Sequence, residues 1–281
     1  MSEAQHIVRA YTQELQHLRD LITEMGGLVE SQLALAAQAV TTADADIAAR
    51  AVEQDPAVDQ LERDAEQFVI RLLALRQPMA MDLRQIVAAL KIIGDLERVG
   101  DYAANVAKRS IVLAQFTLPI SLSGLAHMAR LVQENLKLTI DAYGESDAAK
   151  AVEVWQSDQA VDDLYNTIFR ELVTYMMEDP RNITPCTHLL FIAKNLERIG
   201  DHATNVAETI HYAVTGESLP GVRPKGTPAA YAVVRSPHAD GNVRSAHADE
   251  AVRSPHADNQ PQHTDASHGS PSPSAAPPRE A

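Results

Sequence analysis

Leu96-Glu-Arg-Val-Gly-Asp101 and Leu196-Glu-Arg-Ile-Gly-Asp201 are almost the same hexapeptide, 100 residues apart, and each is followed at equal distance by Asn-Val-Ala, at 105–107 and 205–207. The duplication continues upstream. Met25-Gly-Gly-Leu-Val-Glu-Ser-Gln-Leu33 aligns with Met128-Ala-Arg-Leu-Val-Gln-Glu-Asn-Leu136, and Asp55-Pro-Ala-Val-Asp59 aligns with Asp158-Gln-Ala-Val-Asp162, both at an offset of 103. The offset changes near Arg76-Gln-Pro78 and Asp179-Pro180, where turns are predicted. A deletion in a turn is tolerated, whereas one inside a helix would rotate its face. Two related units in tandem are the main organisational fact of this chain.

Each unit reads as three helices, because apolar residues recur at the 3.6-residue spacing of an amphipathic helix. The predicted spans are 6–42, 45–76 and 80–116, then 121–144, 147–178 and 183–214. Breaks fall at Thr41-Thr42-Ala43-Asp44, Gln77-Pro78, Pro119, Gly144-Glu-Ser146 and Asp179-Pro180. Short connections make neighbouring helices antiparallel. The fold class is therefore all-α: two tandem antiparallel three-helix bundles, residues 1–117 and 118–215. A low-complexity, disordered tail over 216–281 follows them.

Composition supports that division. Ten of the 15 prolines and five of the 12 glycines lie in residues 216–281, with three copies of a Val-Arg-Ser-(Pro/Ala)-His-Ala-Asp motif starting at Val234, Val243 and Val252. Such a segment has no means of forming a core, although its histidines could pick up divalent metal weakly. The whole chain carries 24 Lys+Arg against 38 Asp+Glu, a net charge of −14. The tail is close to neutral, so the acidity belongs to the helical part, and nucleic acid is excluded as a partner by repulsion from a phosphate backbone. A single cysteine, Cys186, excludes an intramolecular disulfide and any multi-thiolate zinc site. With no secretory signal and no apolar run near the ~20 residues a bilayer requires, a cytoplasmic location is expected.

The acids are arranged as matched pairs. Asp55/Asp59, Glu97/Asp101, Asp158/Asp162 and Glu197/Asp201 all stand at i,i+4, side by side on a helix, where like charges repel by a few tenths of a kcal/mol. On a wheel of 100° per residue, Glu97 and Asp101 flank an apolar arc of Ala89, Ile92, Ile93, Leu96, Val99, Ala103 and Ala107. Glu197 and Asp201 flank Leu189, Ile192, Leu196, Ile199 and Ala203 in the same way. Asp55 and Asp59 flank the arc of Val58, Leu61, Ala65, Val69 and Leu72. If the second and third helices of each unit are neighbours, two pairs converge on one outer groove per bundle. Oxygen donors without sulfur or imidazole suit hard or borderline cations. Glu62 and Glu66, whose counterparts are Tyr165 and Phe169, read as solvated surface, as does His202. Gly100 and Gly200, close to the apolar arcs, read as points of close helix approach. No catalytic constellation is evident, neither a phosphate-binding glycine loop, a nucleophile elbow, nor a thiol–imidazole pair.

The two hexapeptides, together with Met25-Gly-Gly27, Arg76-Gln-Pro78, Asp82-Leu-Arg84 and Thr174-Tyr-Met-Met-Glu-Asp179, closely resemble the PhoU family over residues 5–215. The resemblance implies a fold of two three-helix bundles and a cytoplasmic negative regulator of phosphate uptake and of phosphate-starvation signalling. It implies partners at the inner membrane face: the ATPase subunit of a phosphate ABC transporter and a sensor histidine kinase, with a homodimer left open. It also implies Mn, Mg, Fe or Zn ions on Asp55, Asp59, Glu97 and Asp101 in one bundle, and on Asp158, Asp162, Glu197 and Asp201 in the other. Two alternatives stand beside this reading. A di-iron carboxylate enzyme would require Glu-x-x-His pairs aimed into a core, and a plain helical scaffold would use the acids for solubility alone.

Overall fold

The apolar stripe of the first helix, α1 (Glu3–Thr42), turns Leu18, Ile22, Met25, Val29 and Leu33 inward at steps of three and four, and all five are buried. In this computed structural model, which describes residues 3–118 and 120–220, α1 is followed by α2 (Ala45–Glu53), α3 (Asp55–Arg76) and α4 (Ala80–Leu113). The second unit consists of α5 (Ser123–Glu145), α6 (Ala148–Glu178), a 3₁₀ turn (Pro180–Asn182) and α7 (Ile183–Thr215). Among the described residues there is no strand. No helix is long and apolar enough to cross a membrane among those residues. The expected break at Pro119 and the expected tail beyond residue 220 lie outside the described residues.

Matched caps start the second helix of each unit. Asp44 Oδ1 accepts from the backbone N–H groups of Asp46 (2.9 Å) and Ile47 (3.1 Å), and Asp147 Oδ1 accepts from those of Ala149 (2.8 Å) and Lys150 (3.2 Å). Each aspartate satisfies two of the backbone donors that a helix start leaves without partners. The predicted single helix over 45–76 is interrupted at Gln54, which ends α2 and precedes α3. Pro56 has no N–H to give to Val52, so the intrahelical ladder is broken there. Gln159 occupies the equivalent place in α6, which runs through without interruption.

Within each unit the helices pack on one another, α1 with α2, α3 and α4, and α5 with α6 and α7. The units also pack side by side, α4 along α7 and α1 along α5, and their buried side chains form one continuous core. Every residue placed on the apolar arcs of α4 and α7 by the wheel is buried. Gly100 and Gly200 close the gap between the second and third helices. A Cβ at Gly100 would meet Val58 Cγ1 at 3.1 Å, and one at Gly200 would meet Val161 Cγ1 at 3.3 Å. Val58 and Val161 are themselves repeat partners, so the same backbone approach is built twice, and it seats α3 against α4 and α6 against α7 directly beneath the acidic pairs.

The α4–α7 seam is where the sequence reading needs correction. His202, read as surface, is half-buried, with Nδ1 2.7 Å from Asp95 Oδ1 on α4 and its ring 5.6 Å from that of Tyr102. Arg198 of α7 lies over the Tyr102 ring at 5.5 Å, and Arg109 of α4 lies over Phe191 at 4.2 Å. The polar face of α4 opposite its own bundle is therefore the face that meets the other repeat.

Candidate functional site

The site is built from the rims of the α3–α4 and α6–α7 pairs. Glu97 is 20% exposed at its side chain and Glu197 13%, while Asp59, Asp101, Asp162 and Asp201 are half-buried, as expected for residues at the shoulder of an apolar arc. Burial raises the Glu97 carboxyl above the usual carboxylate range, and the charges of Asp101, Glu62 and Asp59 raise it further against the opposing pull of Arg98. Glu197 is raised by burial, with Asp201 and Asp162 acting in the same direction and Lys194 against them. Asp59, Glu97 and Asp101 thus share one electrostatic neighbourhood, and Asp162, Glu197 and Asp201 share its duplicate.

Asp55 and Asp158 stand apart in character. Asp55 accepts from Gln32 Nε2 of α1 at 3.2 Å and pairs with Lys108 of α4 at 3.8 Å. Asp55 is the first residue of α3, and no side-chain cap precedes it. Asp158 is only 3% exposed and accepts from the Thr204 hydroxyl at 3.1 Å. Both acids clasp the second helix to the third, which positions the next acid along, Asp59 or Asp162, at the groove.

Two residues outside the predicted set belong to the grooves. Glu62, read as solvated surface, is raised by burial and by the charges of Glu66 and Asp59, and it acts in turn on Glu97. Lys194 places its Nζ 2.7 Å from each Glu197 oxygen, donating to Oε1. The repeat alignment contains the signal for Lys194, which stands opposite Gly94, but a wheel drawn for one helix cannot show that the charge of Glu62 acts on Glu97 of the next.

Carboxylate oxygens at a half-buried rim are hard donors, and they suit the charge of Mg, Mn or ferric iron better than that of a soft metal. Among the described residues, no three His, Cys, Asp or Glu side chains are already gathered tightly enough to hold one ion. Cations of the protein lie close to several of the acids: Arg63 is 4.0 Å from Asp59 and Arg98 is 3.4 Å from Glu97. Both arginines are more than half exposed, so they can swing aside. The donor set of the α3–α4 groove therefore fits a hard cation by chemistry and charge, with side-chain rotation needed to close around it.

A duplicated three-helix unit, with an acidic shoulder at the same place in each copy, defines the class of protein. A family model described as "PhoU domain" matches residues 22–110 and 125–210, one match per repeat. The chain is 51% identical over 222 residues to a phosphate-specific transport system accessory protein PhoU homolog of Caulobacter vibrioides, covering 79% of this chain and 96% of that protein. It is 49% identical to the homolog from Rhizobium meliloti, covering 80% and 95% of the two chains. Among solved structures, PhoU from Pseudomonas aeruginosa superposes with a TM-score of 0.72 at 42% identity, over 74% of this chain and all of that one. The phosphate transport system regulatory protein PhoU from Streptococcus pneumoniae gives 0.70 at 30% identity, over 75% of this chain and all of that one. The chain belongs to the PhoU family.

Proposed function

We propose that this protein is a non-catalytic accessory protein of a phosphate transport system, acting in the cytoplasm as a negative regulator of phosphate uptake and of phosphate-starvation signalling. It docks on the ATPase subunit of the transporter and on a sensor histidine kinase, and metal held on its acidic rim tunes the docking face. The observation that carries the reading is that a relative spanning 96% of its own length at 51% identity bears the name of such an accessory protein.

The metal part of the proposal is supported by the duplicated geometry. Asp59, Glu62, Glu97 and Asp101 supply oxygen donors in one groove, and Asp162, Glu197 and Asp201 are the counterparts in the other. Asp55 and Asp158 serve as positioning residues through Gln32, Lys108 and Thr204. When bound, Mn, Mg, Fe or Zn supplies positive charge that lets these acids stand together. A rim of fixed carboxylates on rigid helices gives a partner a shaped, charge-defined surface, which suits recognition rather than turnover.

The test is a pull-down of the tagged full-length chain from cells grown in high and in low phosphate. Enrichment of the transporter ATPase subunit and a histidine kinase supports the proposal. Capture of neither under both conditions contradicts it.

A further inference from the structure

The two grooves, although copied from one unit, present different charge to an incoming ion. Gly94 on α4 stands where α7 has Lys194, and Glu62 and Glu66 on α3 stand where α6 has Tyr165 and Phe169. In the α6–α7 groove the Lys194 ammonium lies 2.7 Å from both oxygens of Glu197 and 5.1 Å over the Tyr165 ring. The Tyr165 and Phe169 rings lie together, 6.4 Å apart. In the α3–α4 groove a Cβ at Gly94 would meet nothing within 4 Å, and the cation nearest Glu97 is Arg98, whose side chain is 59% exposed.

We propose that Lys194 is a built-in cation that fills the α6–α7 groove, so that only the α3–α4 groove takes up metal. A divalent ion on Glu197 would have to displace an ammonium held at once by a largely buried carboxylate and by an aromatic face. It would also approach a mouth in which two carboxylates have been exchanged for two rings. In the α3–α4 groove the same ion meets the acids Asp59, Glu62, Glu97 and Asp101, with Glu66 beside Glu62, an open place at Gly94, and arginines free to move. The second repeat keeps its acids and neutralises them internally, while the first draws its cation from solution.

This inference rests on the metal-binding reading, and a titration with Mn²⁺ separates the two. Full-length protein stripped with a chelator is titrated by calorimetry, with free Mn²⁺ followed by electron paramagnetic resonance. Glu97→Gln with Asp101→Asn is expected to weaken uptake at least tenfold, and Glu197→Gln with Asp201→Asn to leave it within twofold of wild type. Lys194→Gly is expected to add a further set of sites that disappears when Glu197→Gln is combined with it. Lys194→Met, which keeps an aliphatic stem on the Tyr165 ring, gives the same readout should glycine unfold the helix. Equal losses from the two double variants, or a wild-type isotherm from both Lys194 variants, overturn this inference and leave the metal reading standing. If wild type takes up no more Mn²⁺ than the variant lacking all four acids, the metal reading falls and the inference with it.

Discussion

The imidazole Nδ1 of His202 on α7 lies 2.7 Å from Oδ1 of Asp95 on α4, a polar clasp between the two repeats on a seam where rings and guanidinium groups also meet. Both side chains are about four-fifths buried, so the contact is shielded from water and competes poorly with solvation once broken. Asp95→Ala and His202→Ala should each cost about 1 kcal/mol in urea unfolding. Their double-mutant cycle should return a coupling of about 0.5–1.5 kcal/mol, whereas additive losses would mean that the clasp contributes nothing.

Gly94 and Gly100 lie six residues apart on α4 and should respond oppositely to alanine. Nothing stands within 4 Å of a Cβ at Gly94, so Gly94→Ala gains the helix-propensity difference, about 1 kcal/mol. At Gly100 the added methyl meets Val58 Cγ1 at 3.1 Å and Gln32 Oε1 at 3.3 Å, both on buried residues of packed helices. Overpacking there should outweigh propensity and leave Gly100→Ala less stable by about 1 kcal/mol. Thermal unfolding of the two variants side by side checks the opposite signs, and a gain at both positions would contradict the close approach of α3 and α4.

Glu14 and Arg76 tie the end of α3 to α1 through two hydrogen bonds, Nε to Oε2 at 2.7 Å and Nη2 to Oε1 at 2.6 Å. These bonds hold the Glu14 carboxyl below the usual carboxylate range. A carboxyl lowered in the folded state contributes stability above its unfolded pKa and loses it as pH falls through the folded value. Glu14→Gln should therefore lower the unfolding midpoint by about 2 °C at neutral pH. The difference should shrink as the pH falls through the folded-state value, where the Glu14 carboxyl takes up a proton and becomes as neutral as glutamine. A difference that persists unchanged in acid would assign the effect to packing instead.

Much of the architecture was legible because the chain says it twice. The apolar arcs and the close helix approaches at Gly100 and Gly200 follow from periodicity checked against a second copy. Gln54 was hidden because Pro56 could open a helix or interrupt one, and only the interrupted ladder decides between them. His202 and Glu62 were misread for a common reason: a wheel ranks a residue against the core of its own helix, whereas His202 meets Asp95 and the charge of Glu62 acts on Glu97, each on another helix. The pairing of Asp55 with Gln32 and Lys108, rather than with the groove, likewise depends on distances across α1, α3 and α4 that no spacing rule contains. Lys194 was open to detection, since aligning the repeats puts a lysine opposite Gly94 beside an otherwise repeated glutamate.

The most direct measurement is complementation in a strain from which this gene has been deleted, with a phosphate-starvation reporter read in rich phosphate. The deletion should leave the reporter on, the wild-type chain should silence it, and a chain carrying Asp59→Asn, Glu97→Gln and Asp101→Asn at equal abundance should fail to do so. Silence without the gene would contradict the regulatory role, and full silencing by the triple variant would show that the α3–α4 acids take no part in it.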